Sequence, residues 1–384
     1  MRITRDAHRP EQFGSAAVKR LLVTGGAGFI GANFCHYWSA THPADRMVVL
    51  DALTYAGNLA SIDQLLQSQR LRFVHADICD RERVASLITE ERIDTIVNFA
   101  AESHVDRSID DPQSFLRTNI MGTHTLLDAA RGAWQQPLGS SHRFHHVSTD
   151  EVYGSLAPAD PAFTESTPYA PNSPYSASKA AADHIVRAYV HTYGMPCTIS
   201  NCSNNYGPYQ FPEKLLPLCI LNILESRPLP IYGDGLQIRD WLHVHDHCRA
   251  IDLILHSSAA GETWNVGGGS TEPNIRIVEA VCDLVDEEFR QRPALKARYP
   301  RAAPAQGASS RTLMQHVRDR PGHDRRYAVD GSKIARLGFA AATPLRAGLT
   351  ATVRWYLDNE DWWRAIVTHE YRNWYARQYS GARA

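Results

Sequence analysis

Tyr175 and Lys179 stand four residues apart in Tyr-Ser-Ala-Ser-Lys, early in a stretch of helical pattern. That spacing puts both side chains on one helix face. Free tyrosine has a pKa of ~10, so half-ionisation at pH 7 needs about 3 units, or about 4 kcal/mol. A lysine ammonium ~4 Å away, at an effective dielectric of ~20, supplies roughly that amount. The pair can thus form a phenolate base that takes a proton from a hydroxyl, although Tyr-x-x-x-Lys alone arises often by chance. A second chemical cluster is Ser148-Thr149-Asp150-Glu151-Val152-Tyr153-Gly154. Adjacent side chains on a strand point to opposite faces, so Asp150 and Glu151 reach one ligand only if the chain leaves strand geometry near Thr149. Gly154 and the loop after it permit that. Two carboxyls of unequal burial hold different protonation states, one an acid and the other a base. Hydride transfer needs only the tyrosine, so an added acid–base pair points to a second chemical step. Two solvated loop acids are the alternative.

Context comes from upstream. Thr24-Gly25-Gly26-Ala27-Gly28-Phe29-Ile30-Gly31 follows a short apolar run and opens a helical pattern. Its glycines allow a tight turn and a close approach to a pyrophosphate, to which the helix N-terminus presents free N–H groups. Asp51, at the end of Val48-Val49-Leu50, suits a ribose 2′-hydroxyl and repels a 2′-phosphate. NAD is therefore favoured over NADP. Asp77-Ile78 follows the third apolar run and is placed to meet the adenine, unless Asp77 caps a helix. Asp110-Asp111-Pro112 opens a further helix that carries Thr118-Asn119, either by ordinary capping or as a helix aimed at the cofactor.

The elements that must position these groups alternate. Strand-like runs lie at 20–24, 47–50, 71–75, 95–99, 143–148 and 197–201, with helix-like stretches near 28–40, 80–91, 112–132 and 174–193. This rhythm predicts an α/β fold, a Rossmann-type doubly wound parallel sheet whose ligands sit at the carboxyl edge of the strands. Beyond Asn205, Pro and Gly become frequent and the alternation breaks, which predicts a smaller mixed α/β C-terminal lobe. The expected division is 1–18 as an N-terminal extension, 19–205 as an NAD-binding Rossmann domain, and 206–384 as mainly a substrate-binding lobe. Some segments of that lobe are expected to return to the first domain. Residues 290–310, rich in Arg, Ala and Pro, read as an insertion loop. The aromatics Trp355, Tyr356, Trp362, Trp363, Tyr371 and Trp374 read as packing against the body.

At 384 residues, 43% hydrophobic and 21% charged, the chain has the makeup of an ordinary soluble globular protein. A formal net charge of −1 gives no electrostatic reason to expect nucleic acid or an anionic membrane. No window approaches a membrane span. The 7 cysteines are scattered, with no C-x-x-C pair. They read as reduced thiols of a cytoplasmic protein. His243-x-His245-x-His247 would share a strand face, but a helical pattern starts at Asp246, so no metal is expected there.

The chain resembles the extended short-chain dehydrogenase/reductases and, within them, the dTDP-glucose 4,6-dehydratase family. The resemblance runs from about Lys19 to about Tyr371. Its longest motifs are Ala100-Ala101-Glu102-Ser103-His104-Val105-Asp106-Arg107-Ser108, Thr149 to Gly154, Asn201 to Tyr209, and Asp319-Arg320-Pro321-Gly322-His323-Asp324. It implies a nucleotide-sugar substrate and a resident NAD. It also implies that Tyr175, helped by Lys179 and Thr149, deprotonates the sugar O4 while hydride leaves C4. Glu151 then takes the C5 proton, Asp150 protonates the leaving C6 hydroxyl, and hydride returns to C6. Cofactor contacts implied alongside the Gly25–Gly31 turn, Asp51 and Asp77-Ile78 are Leu53, Thr54, Ala100, Ala101, Ser103, Thr118 and Asn205. Substrate contacts fall on Ser103, Thr149 and Asn204, then on Glu213, Lys214 and Leu215. Further along they fall on Pro230, Ile231 and Tyr232, and finally on Arg239, Asn274, Arg320 and His323. Arg239 and Arg320 suit a diphosphate.

The chain departs from the family pattern in a longer N-terminal extension, a short loop before Arg143 and a longer insertion at about 288–312. A 4-epimerase, or a dehydratase for another nucleotide-sugar, shares the tyrosine and NAD. The acid–base pair separates the dehydratase from the epimerase. A non-catalytic NAD or ligand sensor is the reading from another class. The resemblance further implies a homodimer in which the helix near Tyr175 packs on its mate. Ala177, Ala181, Ile185 and Ala188 give that helix a small-residue face.

Overall fold

The computed structural model describes residues 18–134, 142–257 and 259–367. The N-terminal extension before Val18, most of the loop before Arg143, and Tyr371 and Trp374 lie outside the described residues. Six alternations build the main sheet: β1 (Arg20–Thr24), α1 (Phe29–Thr41), β2 (Arg46–Asp51), β3 (Leu71–His75), α2 (Arg81–Glu90) and β4 (Thr95–Asn98) come first. After them run α3 (Val105–Asp110), a long helix α4 (Pro112–Ala133), β5 (Arg143–Thr149), α5 (Pro174–Tyr193) and β6 (Cys197–Cys202). The last strand of this sheet, β10 (Thr263–Val266), arrives from much later in the chain. The seven strands lie in the order β10-β6-β5-β4-β1-β2-β3, and all are parallel.

Strand alternation sorts the core onto both faces of this sheet. Leu21, Val23, Met47 and Val49 pack with Phe34 and Trp38 of α1. Leu22, Val48 and Leu50 pack on the other face with Val84, Leu87, Leu126 and Val186. Strand order reverses between β1 and β4, and that crevice is where an open α/β sheet takes its ligand.

The later chain adds β7 (Asn204–Tyr206), α6 (Leu215–Leu224), β8 (Leu229–Tyr232), β9 (Ile238–His243), α7 (Val244–Ser257), β11 (Thr271–Pro273) and α8 (Asn274–Gln291). β12 (Met314–Val317), α9 (Leu345–Asp358) and α10 (Glu360–Ile366) follow. β11-β9-β7 form a small mixed sheet, and β12 pairs with β8. Residues 290–310 are not the open loop expected from their composition. They fold as short helical turns at Ala294–Arg298, Ala303–Gln306 and Ser310–Leu313. Leu295, Tyr299 and Ala302 carry them into the core of this part, where Phe289 also sits. Trp355 and Trp362 pack edge-on against Tyr209, and Trp362 Nε1 donates to Ser61 Oγ at 3.1 Å.

Candidate active site

A cavity of about 460 Å³ opens along the carboxyl edge of the main sheet. One end is made of backbone. Gly25 has φ +67°, and a Cβ there would stand 2.6 Å from the Ala100 nitrogen; a Cβ on Gly31 would stand 2.3 Å from the Gly25 carbonyl. Gly28 caps α1 without a side chain, so Gly28, Phe29 and Ile30 line the cavity with an uncapped helix start. The Asp51 carboxylate is fixed by N–H groups of Ala27 (2.9 Å) and Leu53 (2.8 Å). Burial raises its pKa, and those two donors oppose the rise. Thr54, Asp77, Ile78, Ala100, Ala101, Ser103 and Thr118 reach the same wall, and Asn205 closes it. Leu53 does not line it; its role here is the hydrogen bond to Asp51, made at φ +49°. Asp77 is not a helix cap. Asp80 caps α2, while Asp77 accepts from Cys79 N and from Arg117. The close backbone, the open helix start and the oriented carboxylate fit a dinucleotide.

Thr118 sits in an irregularity that its sequence does not announce. α4 is α-helical over Pro112–Phe115, π-helical over Leu116–Gly122 and α-helical again over Thr123–Ala133. π segments widen a helix by one residue and recur at functional sites. Here the wide turn carries Asn119, whose side chain bonds both backbone groups of Glu102 (2.9 and 3.0 Å) and Ser178 Oγ (2.8 Å). Asn119 thereby ties α4, the Glu102 segment and α5 together beside the cavity.

The reactive cluster follows from where β5 stops. Strand geometry ends at Thr149, and Asp150–Tyr153 form a 3-10 turn closed by Gly154 at φ +91°. A Cβ on Gly154 would meet the Ala170 carbonyl at 2.4 Å. Thr149 Oγ1 accepts from Glu151 N at 3.3 Å, which turns both acids toward the cavity wall. Asp150 is 2% exposed, and among the described residues its Oδ2 has no hydrogen-bond partner. Burial, then the neighbouring Glu151 charge, pushes its carboxyl well above the usual range. Burial also raises Glu151, but Arg320, Arg239 and Lys214 oppose that rise. The two acids therefore differ in ionisation, Asp150 holding its proton the more tightly.

Ser173 and Ser176 form a capping box that starts α5 at Pro174. One turn in, Tyr175 and Lys179 both face the cavity. Tyr175 carries a cost that the charge arithmetic on the sequence omits. Burial pushes its phenol well above the ordinary range, Glu151 and Cys202 add to that, and a hydrogen bond with Thr149 opposes it. Lys179 pays for burial too, its pKa falling to about 8, with Asp183 opposing the fall.

The other end of the cavity is made of long side chains. Asn204, Glu213 and Lys214 line it, and Lys214 Nζ donates to the Ser103 carbonyl at 3.0 Å. Arg107 donates to Glu213 Oε2 at 3.0 Å and lies 3.8 Å over the Tyr55 ring. Sequence reasoning passed over Arg107 and Tyr55 because nothing local links residues so far apart. Arg239, Arg320 and His323 do not line the cavity. Arg239 donates to the Asp324 carbonyl, Arg320 stands 3.7 Å from Asp106, and His323 pairs with Asp319 at 2.6 Å. Tyr232 also donates to Asp106, at 3.3 Å. Leu215 opens α6; Pro230 and Ile231 lie on β8, with Ile231 in the core. Asn274 begins α8, and like Asn204 it keeps a buried Oδ1 without a partner.

The three histidines of His243-x-His245-x-His247 do not converge. β9 ends at His243, His245 is exposed, and buried His247 meets Asn205 Oδ1 at 3.0 Å. Among the described residues, one group brings metal-ligating atoms within 4.8 Å: His42, Asp252 and His256. They already partner one another, at 3.0 and 2.8 Å, at the end of α1 away from the cavity.

The family model described as GDP-mannose 4,6 dehydratase matches residues 22–352. The dTDP-glucose 4,6-dehydratase of Neisseria meningitidis is 50% identical over 359 residues, covering 92% of this chain and 98% of that one. That of Xanthomonas campestris pv. campestris is 51% identical over 355 residues, covering 91% and 97%. The chain belongs to the dTDP-glucose 4,6-dehydratase family. Among solved structures, DesIV of Streptomyces venezuelae, a dTDP-glucose 4,6-dehydratase with NAD and TYD bound, superposes with a TM-score of 0.80 at 45% identity, covering 90% of this chain and 99% of that one. A UDP-glucose 4-epimerase of Thermus thermophilus, in complex with NAD, reaches 0.73 at 26% identity, covering 88% and 98%. The fold is thus common to dehydratases and epimerases, and what the dehydratase family shares with this chain extends well beyond it.

Proposed function

We propose that the protein is an NAD-dependent hydro-lyase that converts dTDP-glucose to dTDP-4-keto-6-deoxyglucose. The observation that carries this reading is the meeting of Asp150 and Glu151, unlike in ionisation, with Tyr175 and Lys179 on one cavity wall. NAD, when bound, supplies a hydride acceptor that becomes a hydride donor within the same turnover. Tyr175 removes the proton of the sugar O4, with Lys179 providing positive charge and Thr149 a hydrogen bond. The 4-ketone acidifies C5. Glu151, the acid with the more cationic surroundings, takes the C5 proton. Asp150 arrives protonated and gives its proton to the leaving C6 hydroxyl, so water departs.

Asn204, Glu213, Lys214, Leu215, Asn274 and the Pro230–Tyr232 strand hold the nucleotide in this proposal. Arg239, Arg320 and His323 hold the diphosphate. Buried polar atoms of Asn204, Asn274 and Arg320 that lack protein partners support that assignment, since such atoms are costly unless a ligand engages them. A homodimer through α5 is part of the same proposal. Ala177 and Ala188 are exposed on α5, and Leu116 (48%) and Met121 (55%) are exposed on the adjoining α4. A cytoplasmic setting accords with seven free cysteines. No helix among the described residues is long and apolar enough to cross a membrane.

The test is incubation of the purified protein with dTDP-, UDP-, GDP- and CDP-glucose. A 4-keto-6-deoxy product from the dTDP sugar is expected. A C4 epimer, or an unchanged sugar with NAD present, defeats the reading. Size-exclusion mass measurement decides the dimer.

A further inference from the structure

Behind the cavity wall, on the side of Lys179 away from the cofactor turn, lies a second layer of polar side chains. Asp183 is one helical turn beyond Lys179 on α5 and is fully buried. Its Oδ2 accepts from Ser148 Oγ and from Tyr169 OH, each at 2.9 Å. Among the described residues its Oδ1 has no hydrogen-bond partner closer than His146 Nε2, 3.5 Å away. That same Nε2 is 3.3 Å from Lys179 Nζ, which donates to the Val147 carbonyl at 2.8 Å.

The network assigns the tautomer of His146. Thr24 Oγ1 takes the Ala100 N–H at 3.4 Å and donates to Asn98 Oδ1 at 2.6 Å, so Asn98 Nδ2 points at His146 Nδ1, 3.1 Å away. Nδ1 is then the acceptor and Nε2 carries the proton. Burial, then the charge of Lys179, keeps the imidazole from taking a second proton. An Nε2–H cannot be satisfied by an ammonium, which only donates. Its acceptor is Asp183. The charge of this carboxylate opposes the loss of the buried lysine's proton.

We propose that Asp183 is a positioning residue for Lys179: its buried carboxylate, with neutral His146 as the spacer, holds the ammonium charged and aimed at Tyr175. The proposal rests on the site reading above, in which Lys179 supports the phenolate. The titratable and charged neighbours are few. Lys179 meets Asp183 on its own helix, His146 from β5 and the Cys202 thiol from β6. Asp183 meets Lys179 and Arg187 on α5, Ser148 and His146 from β5, and Tyr169 from the loop before the helix. Burial lifts Asp183 to about 6, against the pull of Lys179. The carboxylate is thus ionised above about pH 6, and the ammonium persists up to about pH 8.

The experiment is the pH profile of kcat on dTDP-glucose for the intact protein, Asp183→Asn, Asp183→Glu and Tyr169→Phe. Asn keeps the acceptor for Ser148 and Tyr169 while removing the charge. The alkaline limb of Asp183→Asn should move down by roughly 1 pH unit, the scale of losing one nearby opposite charge. Asp183→Glu should return it toward the parent position. Tyr169→Phe removes one donor from Asp183 and should move only the acid limb, upward. It also serves if Asp183→Asn fails to fold. An Asp183→Asn profile with unmoved limbs, whatever its kcat, overturns the proposal; so does an unmoved acid limb in Tyr169→Phe. Lys179→Met is run beside them. Full turnover by that variant defeats the site reading itself, whereas an inactive Lys179→Met with an unmoved Asp183→Asn profile defeats only the role of Asp183.

Discussion

At one end of the cavity, where we place the cofactor, the wall is mostly backbone, whereas at the other, where we place the nucleotide, it is long side chains. Gly25 and Gly31 exclude a Cβ, and Asp51 is pinned by two main-chain N–H groups, those of Ala27 and Leu53. These features are complete once β1, α1, β2 and the end of β4 have packed. At the other end, Arg107 meets Glu213 across 106 positions, and outside the cavity lining Arg239 meets the Asp324 carbonyl across 85. Those contacts exist only when early and late parts of the chain have come together. The Asp150–Glu151 turn belongs to both: Thr149 and Gly154 aim it locally, while Arg320, Arg239 and Lys214 set the charge of Glu151 from afar. A change at the first end should therefore act through space-filling, and a change at the second through charge.

The largest effect is expected where the two ends meet. Glu151→Gln keeps the shape of the turn and removes the base, so turnover should fall by ~10²–10⁴-fold. Asp150→Asn removes the proton donor and should fall similarly. In both, the first hydride transfer should outlast water loss, seen in single turnover as reduced cofactor that accumulates without product. Equal loss of both steps would show that the pair serves binding or folding instead.

Next in size is Gly31→Ala. Its Cβ would meet the Gly25 carbonyl at 2.3 Å, and backbone cannot swing aside as a side chain can. An overpacking cost of ~1–3 kcal/mol should weaken NAD by roughly 10- to 100-fold, read by calorimetry or by loss of NAD on dialysis. Arg320→Ala is the counterpart at the other end. It should raise KM for dTDP-glucose about 10-fold or more, the worth of a charge-assisted hydrogen bond, and leave NAD affinity unchanged. If Arg320→Ala loosened NAD, or Gly31→Ala acted only on KM, the division between backbone and side-chain ends would collapse.

The same division governs what the sequence discloses. The Gly turn, Asp51, and Tyr175 with Lys179 are short-range patterns, and each stands where its spacing puts it, on strands and helices whose bounds shift by a residue or two. The seven-stranded order, with β10 returning beside β6, gives the expected α/β sheet. What escaped detection depends on distance or on burial. Asn119 looks like any helical residue until the π turn swings it against Glu102. Tyr55 lies in an unremarkable segment and Arg107 in a motif that gives it no role of its own, and the two acquire meaning by stacking at 3.8 Å. The 290–310 stretch reads as open because it is rich in Arg, Ala and Pro, yet Leu295 and Tyr299 suffice to anchor it. Tyr175 was credited with its lysine but not charged for its burial, which no residue pattern reports.

The smallest effect concerns how firmly the backbone end is held. α1 starts at the cofactor turn, and its far end is clamped to α7: Asp252 accepts from Tyr37 OH at 2.7 Å and pairs with His42 and His256. Burial disfavours the Asp252 charge, but hydrogen bonds from His256, His42 and Tyr37 outweigh it and hold its pKa down to about 2. A carboxylate depressed on folding stabilises above its unfolded pKa of ~3.9, and that stability fades as pH falls toward 2. With part of the cluster solvent-facing, the gain at neutral pH is discounted to about 1 kcal/mol. Asp252→Asn should therefore lower Tm by a few degrees at pH 7, with the gap to the parent closing between about pH 4 and pH 2. If the gap survived below pH 2, packing rather than charge would be holding α1. If NAD affinity dropped along with Tm, the backbone end would depend on a side-chain clamp after all.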